Sequence, residues 1–296
     1  MIVSKWLWWA VLLAAPGVAS ACAPAGWPVD ALKALKTSDF DVPDATQRGE
    51  LALALVDCLA SPDPALRDGI AYEGLAHWLR ADALTSGLRA RLLERLLPML
   101  QSGDADGFAA PFAALALSEV ARTDRIAPWL KRAQRARLVG AAADFLSKVR
   151  DYRGFIAGEG WRHGVAHGAD LALQLALNPK VSKRELDQLL DALFAQVAPV
   201  DHAYVFGEPE RLARPMLYIA ARGLHTSAEW QARLDALLDP APLDGWQAAF
   251  ASTTGLARRH DTMAFLLVAQ VNAAQSTDAH IQALAPLLLD ALGKLP

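Results

Sequence analysis

Apolar residues recur at helical spacing along nearly the whole chain. Leu186, Leu189, Leu190, Leu193, Phe194 and Val197 fall at i, i+3, i+4, i+7, i+8 and i+11, which is one face of a helix. Helix-start signals coincide with such runs. Ser182 with Glu185, and Thr226 with Glu229, make the Ser/Thr-x-x-Glu box in which two side chains satisfy the first unpaired N–H groups. Alternating, strand-like runs are nearly absent. Breaks at Pro62-Asp63-Pro64, Gly103-Asp104, Gly154 to Gly160, Asn178-Pro179, Gly207 to Pro209 and Asp239-Pro240 separate about a dozen helices, and such short connections make neighbours antiparallel. The fold class this predicts is all-α. Helical-hairpin repeats of roughly 40 residues would stack as a HEAT/armadillo-like α-solenoid, and a closed α/α toroid satisfies the same pattern.

The first 21 residues depart from that periodicity. Lys5 precedes an apolar run from Trp6 to Ala15, and small residues follow at Ala19-Ser20-Ala21, which reads as a secretory signal too short to span a bilayer. No later stretch stays free of charge for the roughly 20 residues a membrane helix needs. The expected organisation is a signal peptide over 1–21, an N-terminal extension over 22–42 and a single α-helical repeat domain over 43–296. The mature protein would then be periplasmic or secreted. Cleavage after Ala21 leaves Cys22 first, where a lipoprotein carries its acyl chains, although Ala19 stands where lipoboxes usually have Leu. Cys22 and Cys58 are the only cysteines. In an oxidising compartment they suggest a bridge worth about 4 kcal/mol by chain entropy, while Cys58 also fits an ordinary buried thiol on the face of Leu55 and Leu59.

Composition narrows the partners. Removing the leader removes Lys5 and no acid, so the net charge of −3 becomes −4, and nothing in that balance courts nucleic acid. With 53% apolar residues the chain can bury a substantial core.

One segment carries the candidate chemistry. Between Asp151 and Asp170 stand Gly154, Gly158, Gly160, Gly164 and Gly168, and each of the two falling inside a helix costs about 1 kcal/mol relative to alanine. Close helix approach or a ligand needing room would compensate. On a helical wheel His163, His167, Asp170 and Gln174 share an arc of about 60°, a polar stripe on a helix otherwise apolar nearly all round. Buried polar groups without partners are costly, so the stripe must meet partners or line a cavity.

Three readings compete. His163 and His167 at i, i+4 with Asp170 could ligate a divalent metal and serve a metal-dependent hydrolase. A histidine with Asp170, Glu159 or Asp151 could act as acid and base on a bound substrate such as a glycan. Alternatively the stripe hydrogen-bonds to neighbouring helices and fixes packing. Farther on, Glu208-Pro209-Glu210-Arg211 opens another helix with acids that suit its dipole, and Arg211 is a partner for Asp151, Glu159 or Asp170. His77, His202, His225, His260 and His280 are isolated, and Lys131-Arg132, Arg135 and Arg258-Arg259 read as solvated helix faces.

The segment Asp151, Arg153-Gly154-Phe155, Gly160-Trp161, His163 and Ala166-His167-Gly168-Ala169-Asp170 resembles the signature of the bacterial family called domain of unknown function 2785. Arg67-Asp68, Ala71-Tyr72 and Trp78-Leu79 upstream, and Gly207-Glu208-Pro209-Glu210-Arg211-Leu212-Ala213 downstream, extend the likeness over about residues 45 to 245. The resemblance implies a helical-repeat protein and no particular reaction. A departure is Ala110-Pro111-Phe112-Ala113, where the family has an Arg-Ser-Phe-Ser-like turn.

The sequence therefore leads to an exported helical-repeat protein with a polar pocket of Arg153, Glu159, Trp161, His163, His167, Asp170, Glu208 and Arg211, binding a small or glycan-like ligand. Its rival is a non-catalytic structural or protein-interaction solenoid. Convergence of these residues on an open cleft would favour the first, and burial of them in mutual pairs the second.

Overall fold

The computed structural model describes Cys22 and residues 24–296; the leader read over residues 1–21 lies outside them. The chain is all-α. Its helices are α1 (Val29–Thr37), α2 (Ala45–Cys58), α3 (Pro64–Leu66), α4 (Glu73–Arg80), α5 (Ser86–Met99), α6 (Ala109–Ile126), α7 (Arg132–Lys148), α8 (Gly164–Ala176), α9 (Lys183–Phe194), α10 (Glu208–Ala221), α11 (Ser227–Leu237), α12 (Thr253–Gln275), α13 (Ala279–Gln282) and α14 (Ala285–Gly293). A six-residue π-helical stretch, Arg67–Tyr72, joins α3 to α4, and a 3₁₀ segment, Trp246–Ala251, precedes α12. Two two-residue strands, β1 (Phe155–Ile156) and β2 (Gly160–Trp161), pair antiparallel with Phe155 opposite Trp161.

Local signals explain many of these boundaries. Glu185 accepts from the Ser182 N–H at 2.7 Å and Glu229 from the Thr226 N–H at 2.7 Å, so both sequence-predicted boxes open α9 and α11. Asp104 accepts from the N–H groups of Phe108 at 3.0 Å and Ala109 at 2.6 Å, which satisfies donors at the start of α6. Leu186, Leu189, Leu190, Leu193 and Val197 are all fully buried, as their spacing requires.

Helices α4, α6, α8, α10, α12 and α14 pack each on the next in one row, while α7 packs on α9 and α2 on α5. The row is parallel at its centre. Phe112 near the start of α6 meets His167 near the start of α8, and Arg125 near the end of α6 meets Gln174 near the end of α8. Helices α1 and α2 rest on the π-helical stretch, whereas α14 rests on α11 and α12. Gly168 allows the close approach its sequence context called for: an added Cβ would lie 2.9 Å from Leu146 Cδ1 and 3.2 Å from Phe145 Cε1 on α7.

Cys22 and Cys58 form a disulfide that ties the N-terminal extension to the end of α2. A lipid thioether needs the same sulfur, so a bridged Cys22 carries no acyl anchor. Among the described residues no helix is long and apolar enough to cross a membrane.

Candidate functional site

The stripe of α8 begins differently from the wheel. His163 is not in the helix; it caps α8 in the left-handed region at φ 55°. The cause is the hairpin before it. The Arg162 N–H donates to the Gly154 carbonyl and the His163 N–H to the Arg153 carbonyl, each at 3.1 Å, so the ladder from β1 and β2 runs up to His163. Gly158 and Gly160, at φ 85° and 80°, supply the tight reversal.

As the cap of α8, His163 places its largely buried ring between His167, 5.9 Å away, and an aromatic cluster. Trp161 stacks on it at 4.5 Å between centroids, and Phe206, from the loop before α10, stands edge-on to both Trp161 at 5.6 Å and His163 at 6.4 Å. Phe155 packs on Trp161 at 5.3 Å. Gly154 has no side chain because a Cβ there would overlap the Phe206 ring. These rings are not core: Phe155 is 49%, Phe206 39% and Trp161 37% exposed.

A carboxylate lies beneath the cluster. Glu208 is buried, accepts from the Phe206 N–H at 3.0 Å, and has Oε1 3.3 Å from His163 Nε2. Burial opposes its charge, but the adjacent His163 ring and the N–H groups of Glu208 itself and Phe206 hold the carboxyl below its ordinary range. His167, one turn into α8, is buried against Phe112 with Nδ1 lacking a hydrogen-bond partner. Burial, then the neighbouring His163 and Arg211, lower its pKa to about 3, so this imidazole is neutral at ordinary pH.

The remaining candidates are taken up in pairs. Arg153 is held by Asp151 through Nε at 2.8 Å. Glu159 accepts from Arg162 Nη2 at 2.7 Å, and its carbonyl accepts from the buried Arg67 at 2.8 Å. Both Arg67 and Arg162 rest their guanidiniums on the Phe108 ring, at 3.8 and 4.2 Å. Asp170 receives two donors from Arg211, one of them Nε at 3.1 Å. Burial outweighs that pairing and keeps the Asp170 carboxyl above its usual range.

Two expectations are therefore corrected. Among the described residues no group of three His, Cys, Asp or Glu side chains comes together to hold a metal, and the set of His163, His167 and Asp170 is not formed. The His163 ring turns toward Trp161 and Glu208, while the Asp170 oxygens are occupied by Arg211. Nor do the eight candidates line one pocket. A cleft of about 190 Å³ lies among Ser102, Asp104, Pro111, Phe145 and Arg150, and none of the eight lines it. What the structure does bring together is Trp161, His163, His167 and Glu208.

Residues 96–268 match the family described as "Protein of unknown function (DUF2785)". The chain belongs to this family. The DUF2785 span runs from α5 into α12 and contains all eight candidates, whereas the opening residues Arg67 to Leu79 precede it. Arg67 nevertheless reaches the DUF2785 hairpin through the Glu159 carbonyl. At the departure from the family turn, Phe112 packs 5.2 Å from His167 and Pro111 lines the cleft. No curated protein and no solved structure matches the chain. Sequence reasoning missed Phe206, whose only signal was its place before the Gly207 break. It also missed that Arg135 is buried against Asp124, at 2.7 Å, and is not a solvated face.

Proposed function

We propose that this protein is an exported, disulfide-bridged helical-repeat binding protein that recognises a saccharide on the aromatic surface at the start of α8. The observation that carries this reading is the set of three exposed rings, in which Trp161 and Phe206 pack on His163 and Phe155 packs on Trp161. Exposed apolar area of this kind marks an interaction site, and the C–H faces of sugar rings stack on aromatic planes. The buried Glu208 anchors the Phe206 backbone and sits beside His163, so the platform is held in place before ligand arrives. The charged candidates are engaged with one another, which leaves binding rather than acid–base chemistry as their use. The row of α4, α6, α8, α10, α12 and α14 supports an open HEAT/armadillo-like solenoid, and the bridge between Cys22 and Cys58 supports an oxidising compartment.

Isothermal titration against a panel of oligosaccharides tests the reading, with Trp161→Ala as the comparison. Because Trp161 lies outside the core, its removal leaves the helical fold intact by circular dichroism while weakening sugar binding at least tenfold. Binding that is unchanged in Trp161→Ala, or no binding of any saccharide by the wild type, refutes the proposal.

A further inference from the structure

The stripe on α8 does not end at the aromatic platform. Past His163 and His167 it continues through Asp170 to Gln174, about 16 Å along the helix at 1.5 Å per residue. The neighbouring helices run parallel to α8 and present guanidiniums to it on both sides. From α6, Arg125 donates to Gln174 Oε1 at 3.1 Å; from α10, Arg211 is bound to Asp170. Arg122 lies one turn before Arg125, and Arg214 one turn after Arg211. Among the described residues neither Arg122 nor Arg214 forms an ion pair with a carboxylate, and Glu210, one turn before Arg214, does not pair with it. Arg214 is close enough to Asp170 to favour its charged form.

Arg211 and Arg214 thus act on Asp170 from α10, and α6 carries Arg125, bound to Gln174, and Arg122; the nearby acid of α6, the buried Glu119, is already taken by Arg80. This concentration of positive charge stands on a chain whose net charge is −3. Like charges are brought this near at an electrostatic cost unless an anion completes the set. The flat fork of a guanidinium matches carboxylate geometry through two parallel hydrogen bonds. Beside the arginines the same stripe buries His167 with Nδ1 unpartnered.

We propose that the ligand is an acidic oligosaccharide lying along α8, with one sugar stacked on Trp161 and Phe206 and carboxylates of the following sugars received by Arg122, Arg125 and Arg214. This rests on the saccharide reading above and adds the charge and the direction of the ligand. The spacing from His163 to Gln174 sets its length at a few sugar units.

Matched pairs separate the two ideas: oligogalacturonate and mannuronate oligomers, each against its neutral methyl ester. The expected result is that the acids bind at least tenfold tighter than the esters in about 50 mM salt, a gap that closes in about 500 mM salt as screening shortens. Arg122→Gln/Arg214→Gln brings the acids to the level of the esters and leaves ester binding unchanged; neither side chain has an ionic partner to strand, and an unaltered melting temperature checks the fold. Trp161→Ala weakens acids and esters alike. Equal binding of acid and ester overturns the charged face while leaving the platform standing. An acid preference that survives the double arginine variant overturns its assignment to this face. Acid binding lost in the arginine variant but untouched in Trp161→Ala refutes the platform and its place in this ligand, and binding of none of the four refutes both.

Discussion

Replacing Cys22 by serine isolates the contribution of the bridge with little collateral damage. Cys22 is half-buried at the edge of the core, whereas Cys58 is 2% exposed, and its free thiol remains at ease among apolar neighbours. The bridge closes a loop with a sequence separation of 36. In the chain-entropy account, a loop of that size removes enough freedom from the unfolded chain to stabilise the fold by about 4 kcal/mol at 25 °C. For a domain of this size each kcal/mol moves the midpoint by about 2 to 4 °C, so Cys22→Ser should melt roughly 8 to 16 °C below the oxidised wild type. Circular dichroism at the helical minimum, scanned with and without reductant, reads the shift. The wild type should fall to the variant's midpoint when reduced, and the variant should ignore reductant. A variant that melts within about 2 °C of the oxidised wild type would refute the argument, and so would equal sensitivity of both proteins to reductant.

Asp124 is the acceptor at the centre of a buried network, taking hydrogen bonds from the Trp129 and Leu130 N–H groups at 3.0 and 2.8 Å, from Arg135 at 2.7 Å and from Asn178 at 2.8 Å. Asp124→Asn strands a buried guanidinium and should cost about 3 to 5 kcal/mol in urea unfolding, with part of the loss recovered by adding Arg135→Met. Burial opposes the Asp124 charge, but Arg135 and the backbone donors hold its carboxyl below the usual range, so its contribution is present at neutral pH and vanishes only as pH falls through that lowered value. His167 acts in the opposite part of the scale: its pKa is lowered from 6.5 to about 3 by burial, the unfolded chain binds the extra proton, and stability falls as pH drops below 6.5. Between pH 7 and 5 that should remove about 2 kcal/mol, and His167→Gln should flatten the slope of melting temperature against pH over this interval.

Much of the helical framework was legible because its causes are local. The apolar face of Leu186 to Val197 and the boxes at Ser182 and Thr226 act within a few residues, and they appear in α9 and α11 as spaced in the sequence. The choice among distant partners was not local. Arg211 had three acids within its reach on paper, and only the parallel packing of α10 on α8 gives it Asp170, 41 residues away. Arg135 looked like a solvated cation because nothing in its own helix shows that Asp124 turns back to meet it.

The candidate site divides in the same way. Its glycines, aromatics and histidines stand out in one segment of sequence, since rare residue types cluster there. Their geometry is a tertiary outcome: the hairpin ladder claims the His163 N–H and forces the left-handed cap, the ring is held between Trp161 and His167, and Phe206 then arrives from a separate loop. The sequence by itself determined the all-α class and the residues available for a site. Only the tertiary structure decided which of them meet, because helical periodicity depends on neighbours a turn apart, whereas ion pairs and stacked rings depend on which helices lie side by side.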